Sequence, residues 1–348
     1  MKTFLKTLIF IIILSICIFA AFLIFSTVSD YKPPPETIIF QGPDTAKIPL
    51  GKTFNLLIWN IGYAGLSKNM DFFYAGGKNV KPAKDILKSN LSSIKDFIKN
   101  QGKIDFFLFQ EVDVNAKRTY SINQYNEIKE LFPNYHSSFG KNYDVSFVPV
   151  PISDPMGKVV SGNQTLSKYI PESVVRHSFP GNYSWPKGLF MLDRCFLVNR
   201  YPIENNKELL IINTHNSAYD DGNLRKRQVQ YLEQFLTSEY KKGNYIIVGG
   251  DWNQCPSGFN PEFKDNLMDN ANRMDIDKAF MPDWKWLYQN KIPTNRRVNE
   301  PYSKGRTLTT VIDFFLASPN IDQAEIKGID LKFKNSDHNP VKLSIVLN

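Results

Sequence analysis

The sequence predicts an α/β protein. First, five short apolar runs each border polar residues of the kind that handle metals and phosphates. They are Leu56–Trp59 before Asn60, Phe106–Phe109 before Gln110 and Glu111, Leu210–Ile212 before Asn213 to His215, Ile246–Val248 before Gly249 to Asn253, and Val341–Val346 after Asn335 to His338. Read as buried strands, they bring their ends to one rim of a sheet, where α/β proteins keep their active sites. Second, segments with apolar residues at helical spacing lie between the runs. Third, 348 residues with 42% hydrophobic composition suffice for a large core. The absence of internal repeats and low-complexity tracts argues against a solenoid or a disordered chain.

Along the chain, Lys2 and Lys6 precede an almost unbroken apolar stretch from Leu8 to Phe25. A helix of about 20 such residues spans a bilayer, and the stretch exceeds the usual h-region of a cleaved signal peptide. An uncleaved anchor is therefore expected over 1–29, with cleavage after Ser29 as the alternative. The positive flank places the remainder outside the cytoplasm. Residues 30–50, with Pro33-Pro34-Pro35, are expected to form a stiff spacer, and 51–348 a single domain.

Within that domain, Phe54–Trp59 reads as the first strand and Asp71–Val80 as a loop. Ile86, Leu87, Leu91, Ile94 and Ile98 predict an amphipathic helix over 83–99. A strand follows at Phe106–Phe109 and a second helix at 122–131. Residues 140–190, rich in Pro, Gly, Ser and Asn, predict long loops and short strands. Leu192–Asn199 and Glu208–Thr214 resemble a hairpin. Val229, Leu232, Phe235 and Leu236 mark a helix over 224–240, leading into a strand at 245–248. Residues 256–304 read as loop-rich, with Trp284 and Trp286 as core aromatics. Strands at 310–317 and 341–347 complete the pattern.

The excess of 42 Lys+Arg over 34 Asp+Glu, a net charge of +8, mildly favours anionic partners. Cys195 and Cys255 are too few for a disulfide framework, although one bridge is permitted outside the cytoplasm. Cys17 reads as a cysteine in an apolar helix.

The candidate chemistry lies at the strand ends. Glu111 would bury a charge unless a cation compensated it. Asp251 and Asn253 alternate onto one side of an extended segment. Asp337 and His338 join a carboxylate to an imidazole, and Asp313 is an acid in an apolar run that needs a partner. Two of the four histidines, His215 and His338, sit at these ends; His136 and His177 fall in loop-like text. Arg118 and Arg194 are candidate phosphate contacts. Arg225, Lys226 and Arg227 read as a solvated face at a helix start.

Taken in order, Trp59-Asn60-Ile61, Gln110-Glu111-Val112-Asp113, Asn213-Thr214-His215, Gly250-Asp251-Trp252-Asn253, Ile312-Asp313-Phe314-Phe315 and Ser336-Asp337-His338-Asn339-Pro340 resemble the motif series of the endonuclease/exonuclease/phosphatase superfamily, the DNase I-like fold. The resemblance runs from about residue 54 to the C-terminus. It implies a four-layer α/β/β/α sandwich of two mixed sheets and metal-assisted attack of water on phosphorus, with Mg²⁺ as cofactor or Mn²⁺ in its place. By the same resemblance Glu111 binds the metal with Asn60 and Asp337 nearby. His338, oriented by Asp313, and Asp251 activate water; Asn253 and His215 stabilise charge on the phosphoryl oxygens. Gly62 stands where the abasic-site nucleases carry an acid, and Gln254-Cys255 departs from the inositol-phosphatase string. The runs Asp71–Gly77, Leu192–Phe196 and Ser217–Asp220 resemble those of membrane-anchored bacterial members.

The expectation is an extracytoplasmic, membrane-anchored phosphodiesterase acting on nucleic acid, with no protein partner implied. A phospholipase C-like or sphingomyelinase-like enzyme and a non-catalytic membrane-tethered binding module are the alternatives. Ala279–Trp284 is the expected interfacial loop of a lipid enzyme, and its interruption by Asp283 argues against that reading.

Overall fold

A computed structural model describes residues 1–43, 46–219, 223–263 and 274–347. The chain opens with helix α1 (Lys2–Val28), strand β1 (Glu36–Gln41), β2 (Thr53–Asn60), α2 (Lys84–Lys99), β3 (Phe106–Ala116) and α3 (Gln124–Lys129). It continues through β4 (His136–Val148), β5 (Gly157–Ser167), β6 (Ser173–Ser178), β7 (Cys195–Pro202), β8 (Glu208–His215), α4 (Asn223–Lys241) and β9 (Tyr245–Asp251). Last come β10 (Lys285–Leu287), β11 (Asn295–Arg296), β12 (Thr309–Thr310), β13 (Asp313–Ala317), β14 (Gln323–Gly328) and β15 (Val341–Val346).

Two mixed sheets face one another. One runs β1-β6-β7-β8-β9-β13-β10 and the other β14-β15-β2-β3-β5-β4. Because strand side chains alternate, each central strand feeds two cores. Leu56, Ile58, Phe106, Leu108, Ile211, Ile247, Phe315 and Leu343 fill the space between the sheets. Leu57, Trp59, Phe107 and Phe109 point the other way, onto Leu91, Ile94 and Ile98 of α2 and Ile128 of α3. On the far side Leu210, Ile212, Ile246 and Val248 meet Val229, Leu232 and Leu236 of α4. The result is two mixed sheets flanked by helices.

Several expectations need correction. Residues 140–190 carry long strands, since β4 and β5 pair antiparallel over most of their lengths. Their polar side chains bond inside the sandwich: Ser138 Oγ donates to Asn199 Oδ1 of the facing sheet at 2.8 Å, and Asn142 Nδ2 to Asn163 Oδ1 of the neighbouring strand at 3.2 Å. His136 and His177 stand on β4 and β6, not in loops. The 30–50 segment contributes β1, an edge strand on β6, and Ile48 bridges Ile203. The run 310–317 breaks at Val311 and Ile312 between β12 and β13. Phe280, Met281 and Trp284 are buried against Trp252 and Phe314, so 279–284 is core and not an interfacial loop. Part of the loop-rich 256–304 stretch lies outside the described residues, as does Asp220 of the Ser217–Asp220 run. Cys195 and Cys255 are buried and not joined in a disulfide.

Candidate active site

Two parallel pairs, β2 with β3 and β8 with β9, end at the same rim of the sandwich. Asn60, Glu111, His215 and Asp251 stand there. β13 runs antiparallel to β9, so its first residue, Asp313, pairs with the last residue of β9, Asp251. The loop before β15 then delivers Asp337 and His338. Trp59 Nε1 donates to the His338 carbonyl at 2.9 Å, and Ser336 Oγ to the Asn60 carbonyl at 2.8 Å, tying that loop to the end of β2. Just beneath, Gln110 Nε2 donates to Asn213 Oδ1 at 2.7 Å, a buried bridge between the sheets.

Unusual backbone aims several side chains. Glu111 has φ 55° inside β3, where the register with β5 slips between Phe109 and Val112. A bulge of this kind re-aims a side chain, here into the cleft. Asn253 follows with φ 51° and Tyr63 with φ 41°. Gly250 has φ 147°, and a Cβ there would lie 2.0 Å from the Thr214 carbonyl oxygen, so only glycine lets β9 lie this close to β8.

The polar atoms converge on Asp251 Oδ2. Asn60 Nδ2 donates to it at 2.9 Å, His215 Nε2 lies at 3.4 Å and His338 Nε2 at 3.7 Å. His338 Nδ1 meets Asp313 Oδ2 at 2.8 Å, which leaves Nε2 turned to the cleft beside Asn295 Nδ2 at 2.9 Å. Asn253 donates its backbone N–H to Asp251 Oδ1 at 2.9 Å and its amide to the Asn216 carbonyl at 2.8 Å. Asn60 Nδ2 also reaches Glu111 Oε1 at 3.2 Å.

Burial shapes the charge states. It lifts Asp251 to about 6, with the His338 imidazolium opposing and Asp313 adding to the rise. Burial also lifts Asp337 to about 6, with Glu111 adding repulsion. For His338 burial works against protonation, but the carboxylates of Asp313, Asp337 and Asp251 outweigh it and hold the imidazole well above its usual range. His215 is pushed well below that range by burial, with Arg194 and His338 assisting.

Two carboxylate groupings suit a divalent cation. Ligand atoms of Asp251, Asp313 and His338 lie within 4.8 Å of one another. Glu111 and Asp337 form the second grouping with Asn60, and neither carboxylate has a Lys or Arg ion-pair partner among the described residues. Two close carboxylates without a cationic side chain are a donor set that a hard cation completes. In the first grouping Asp313 Oδ2 is engaged by the His338 ring, while Asp313 Oδ1 has no hydrogen-bond partner.

All ten sequence candidates except Asn60 and Asp313 line one cleft of about 570 Å³, and those two lie immediately beneath it. Arg118 gives two hydrogen bonds to Asp113, at 3.0 and 2.8 Å, and its guanidinium stacks on Tyr63 at 3.7 Å. Arg194 presents a buried Nη1 with no hydrogen-bond partner, and burial lowers its pKa. Arg225 corrects the solvated-face expectation, because it lines the cleft and its Nη1 donates to the Asn253 carbonyl at 3.2 Å. Sequence reasoning missed Tyr63, Asn295, Tyr183 and Tyr219, which line the cleft, and Asn216, whose carbonyl accepts from Asn253. They lie in loops, a single helical turn and the two-residue β11, all too short for a periodic signal; only the nearness of Tyr63 to Asn60 and of Asn216 to His215 pointed to them.

Known proteins share this fold. Residues 58–338 match the Endonuclease/Exonuclease/phosphatase family model. An endonuclease/exonuclease/phosphatase from Beutenbergia cavernae DSM 12333 is similar in fold at 16% identity and TM-score 0.57, over 85% of this chain and 72% of that one. TDP2 from C. elegans is similar at 15% identity and TM-score 0.53, over 88% and 77% of the two chains. D. rerio TDP2 complexed with single strand DNA product is similar at 12% identity and TM-score 0.51, over 84% and 98%. No curated protein matches at a significant level. Fold and site support a metal-dependent hydrolase of phosphate esters, and the chain belongs to the endonuclease/exonuclease/phosphatase family.

Proposed function

We propose that this chain is a phosphodiesterase held at a membrane by α1, with its catalytic domain outside the cytoplasm and Mg²⁺, or Mn²⁺ in its place, as cofactor. The carrying observation is the convergence of Asn60, His215 and His338 on one oxygen of Asp251, beside the Glu111 and Asp337 carboxylates. Glu111 and Asp337, with Asn60, would hold the cation, which when bound polarises a phosphoryl oxygen. Asp251 accepts the proton of the attacking water. His338, fixed by Asp313, and His215 and Asn253 present donors to the oxygens on which charge builds. Arg194 supplies a cation on the cleft wall for a non-reacting oxygen.

For substrate, single-stranded nucleic acid is the first reading. Tyr74, Tyr183 and Tyr219 line the cleft and offer faces on which bases stack. A lipid phosphodiester is the second reading, favoured by exposed apolar residues around the end of α1. The full chain is assayed with Mg²⁺ and with chelator on single-stranded DNA, RNA, and phosphatidylcholine or sphingomyelin vesicles. Metal-dependent cleavage confined to nucleic acid is expected; cleavage confined to the vesicles overturns that choice for the lipid reading. No metal-dependent cleavage of any of them sinks the proposed range of substrates.

A further inference from the structure

Helix α1 does not leave the domain on a free tether. The ring of Phe22 stacks on Phe190 at 5.8 Å and meets Phe147 edge-on at 6.1 Å. Trp185 Nε1 donates to Thr27 Oγ1 at 3.2 Å. Beyond the helix, Lys141 Nζ lies 3.9 Å from the centre of the Tyr31 ring, Ser178 Oγ donates to the Pro34 carbonyl at 2.7 Å, and β1 joins β6. The chain is thus pinned from Phe22 to Gln41, which fixes where the domain sits relative to the helix.

That place is set by the helix's own length. At 1.5 Å per residue, about 20 residues cross the hydrocarbon layer. Counting from Lys6, the crossing ends near residues 26 to 28, and Val28 is still 83% exposed on the helix surface. Phe22 lies about 9 Å below Val28 along the axis. A side chain packed against Thr27 is therefore near the outer headgroups, and one packed against Phe22 lies several ångströms deeper, at the upper edge of the hydrocarbon. Phe147 is the penultimate residue of β4, and the connection after that strand carries Val150 and Ile152, the latter 91% exposed; Trp185 is 62% exposed. Of the five tryptophans, Trp185 alone stands exposed, and an indole whose polar edge is bonded at a helix end suits the bilayer interface.

We propose that Phe147, Val150, Ile152 and Trp185 form a docking face that enters the interfacial layer of the same bilayer that α1 spans, and so holds the cleft at headgroup height. The inference rests on the reading of α1 as a membrane span. The face is mechanically continuous with the site. Tyr143, which lines the cleft, donates its hydroxyl to the Phe190 carbonyl at 3.0 Å. The segment from Tyr183 to Arg194 gives the cleft Tyr183, Met191, Leu192 and Arg194 while presenting Trp185 and Phe190 to α1. Docking therefore presses on one wall of the catalytic cleft.

The test uses the full chain in phosphatidylcholine vesicles, labelled with a nitrobenzoxadiazole maleimide. Native Cys17 reports on insertion of α1, since Cys195 and Cys255 are buried. In a Cys17→Ser background, Ile152→Cys reports on the face. Lys327→Cys, on β14 at the opposite edge of the six-stranded sheet, is the control. Quenching by nitroxide-bearing lipid is compared with quenching by aqueous iodide. The expected lipid-to-iodide ratio is at least about tenfold higher at 152 than at 327, with the Cys17 label quenched only by lipid. Lipid quenching at 17 with equal ratios at 152 and 327 overturns the docking alone. Iodide quenching at 17 as well overturns the anchor reading, and the docking with it.

Discussion

Replacing Asp313 with asparagine separates two roles that the geometry allows it. As the partner of His338, Asp313 holds the ring with Nε2 towards the cleft, through a contact of 2.8 Å in which both groups are buried. As a member of the Asp251–Asp313–His338 cluster, it would instead be a metal ligand. Asparagine keeps the shape and removes the charge. A hydrogen bond to a charged group is worth about 1.5–3 kcal/mol, which at 1.36 kcal/mol per decade is about 10- to 150-fold in rate. The substitution also allows the amide to donate to Nδ1, which favours the wrong tautomer; in a serine-protease triad the same change lowers turnover by about 10⁴. The expected fall in kcat is therefore at least about a hundredfold.

Bis(p-nitrophenyl) phosphate makes the assay independent of the natural substrate, and each variant is titrated with Mg²⁺ after circular dichroism has confirmed folding. For an orienting residue, kcat at saturating metal falls while the half-saturating Mg²⁺ stays within about threefold of wild type. A half-saturating Mg²⁺ raised tenfold or more, with kcat recovering at high metal, would refute the reasoning and move the cation to the Asp251–Asp313–His338 cluster. Unchanged kcat would remove Asp313 from the mechanism.

The same titration of Glu111→Gln is expected to give the converse, a half-saturating Mg²⁺ at least about tenfold higher with partial recovery at high metal; an unchanged midpoint removes Glu111 from the metal site. Gly250→Ala places a methyl 2.0 Å from the Thr214 carbonyl oxygen, so it is expected to cost more than about 3 kcal/mol in a denaturant melt. Gly51→Ala, at φ 71° with open space around it, should cost only about 1 kcal/mol, and equal losses would show that contact is not the cause. His177 is held at about 4, against an ordinary value of 6.5, chiefly by burial, with Glu36 opposing. The unfolded chain then takes up a proton that the folded one refuses, so stability is complete above pH 6.5 and falls by about 3 kcal/mol towards pH 4. His177→Leu should remove that part of the slope in melts taken across the window, and an identical slope in the variant would exclude His177 as its source.

The parts of the protein legible in its sequence are those where one physical signal dominates. Strands β2, β3, β8, β9 and β15 were visible because burial makes a largely apolar run, and the polar residues beside it have no other reason to be there. Helices α2 and α4 were visible because each presents one stripe to a sheet. β4 and β5 were not, because Ser138, Asn142, Asn163 and Gln164 fill buried positions with amides and hydroxyls that satisfy one another across strands. Polar composition reads as loop unless those partners are known. β1 was hidden for another reason: an edge strand needs only one neighbour, and its side chains are largely exposed.

The candidate site divides along the same line. Glu111, His215, Asp251, Asp313 and His338 were found by their place beside apolar runs, whereas Asn216 in a loop, Asn295 on the two-residue β11 and Arg225 in the first turn of α4 are brought near only by the fold. The angles that aim the site were equally hidden. Glu111, Asn253 and Tyr63 all have positive φ, which is uncommon outside glycine and, of these three, is taken readily only by asparagine. Such conformations persist where the surroundings over-determine them. Here β3 is clamped between β2 and β5, Asn253 is held by Asn216 and Arg225, and Tyr63 is stacked on Arg118, itself locked to Asp113. Arg118 thus serves the site by fixing Tyr63, and that local dependence was invisible in a sequence where the two lie 55 positions apart.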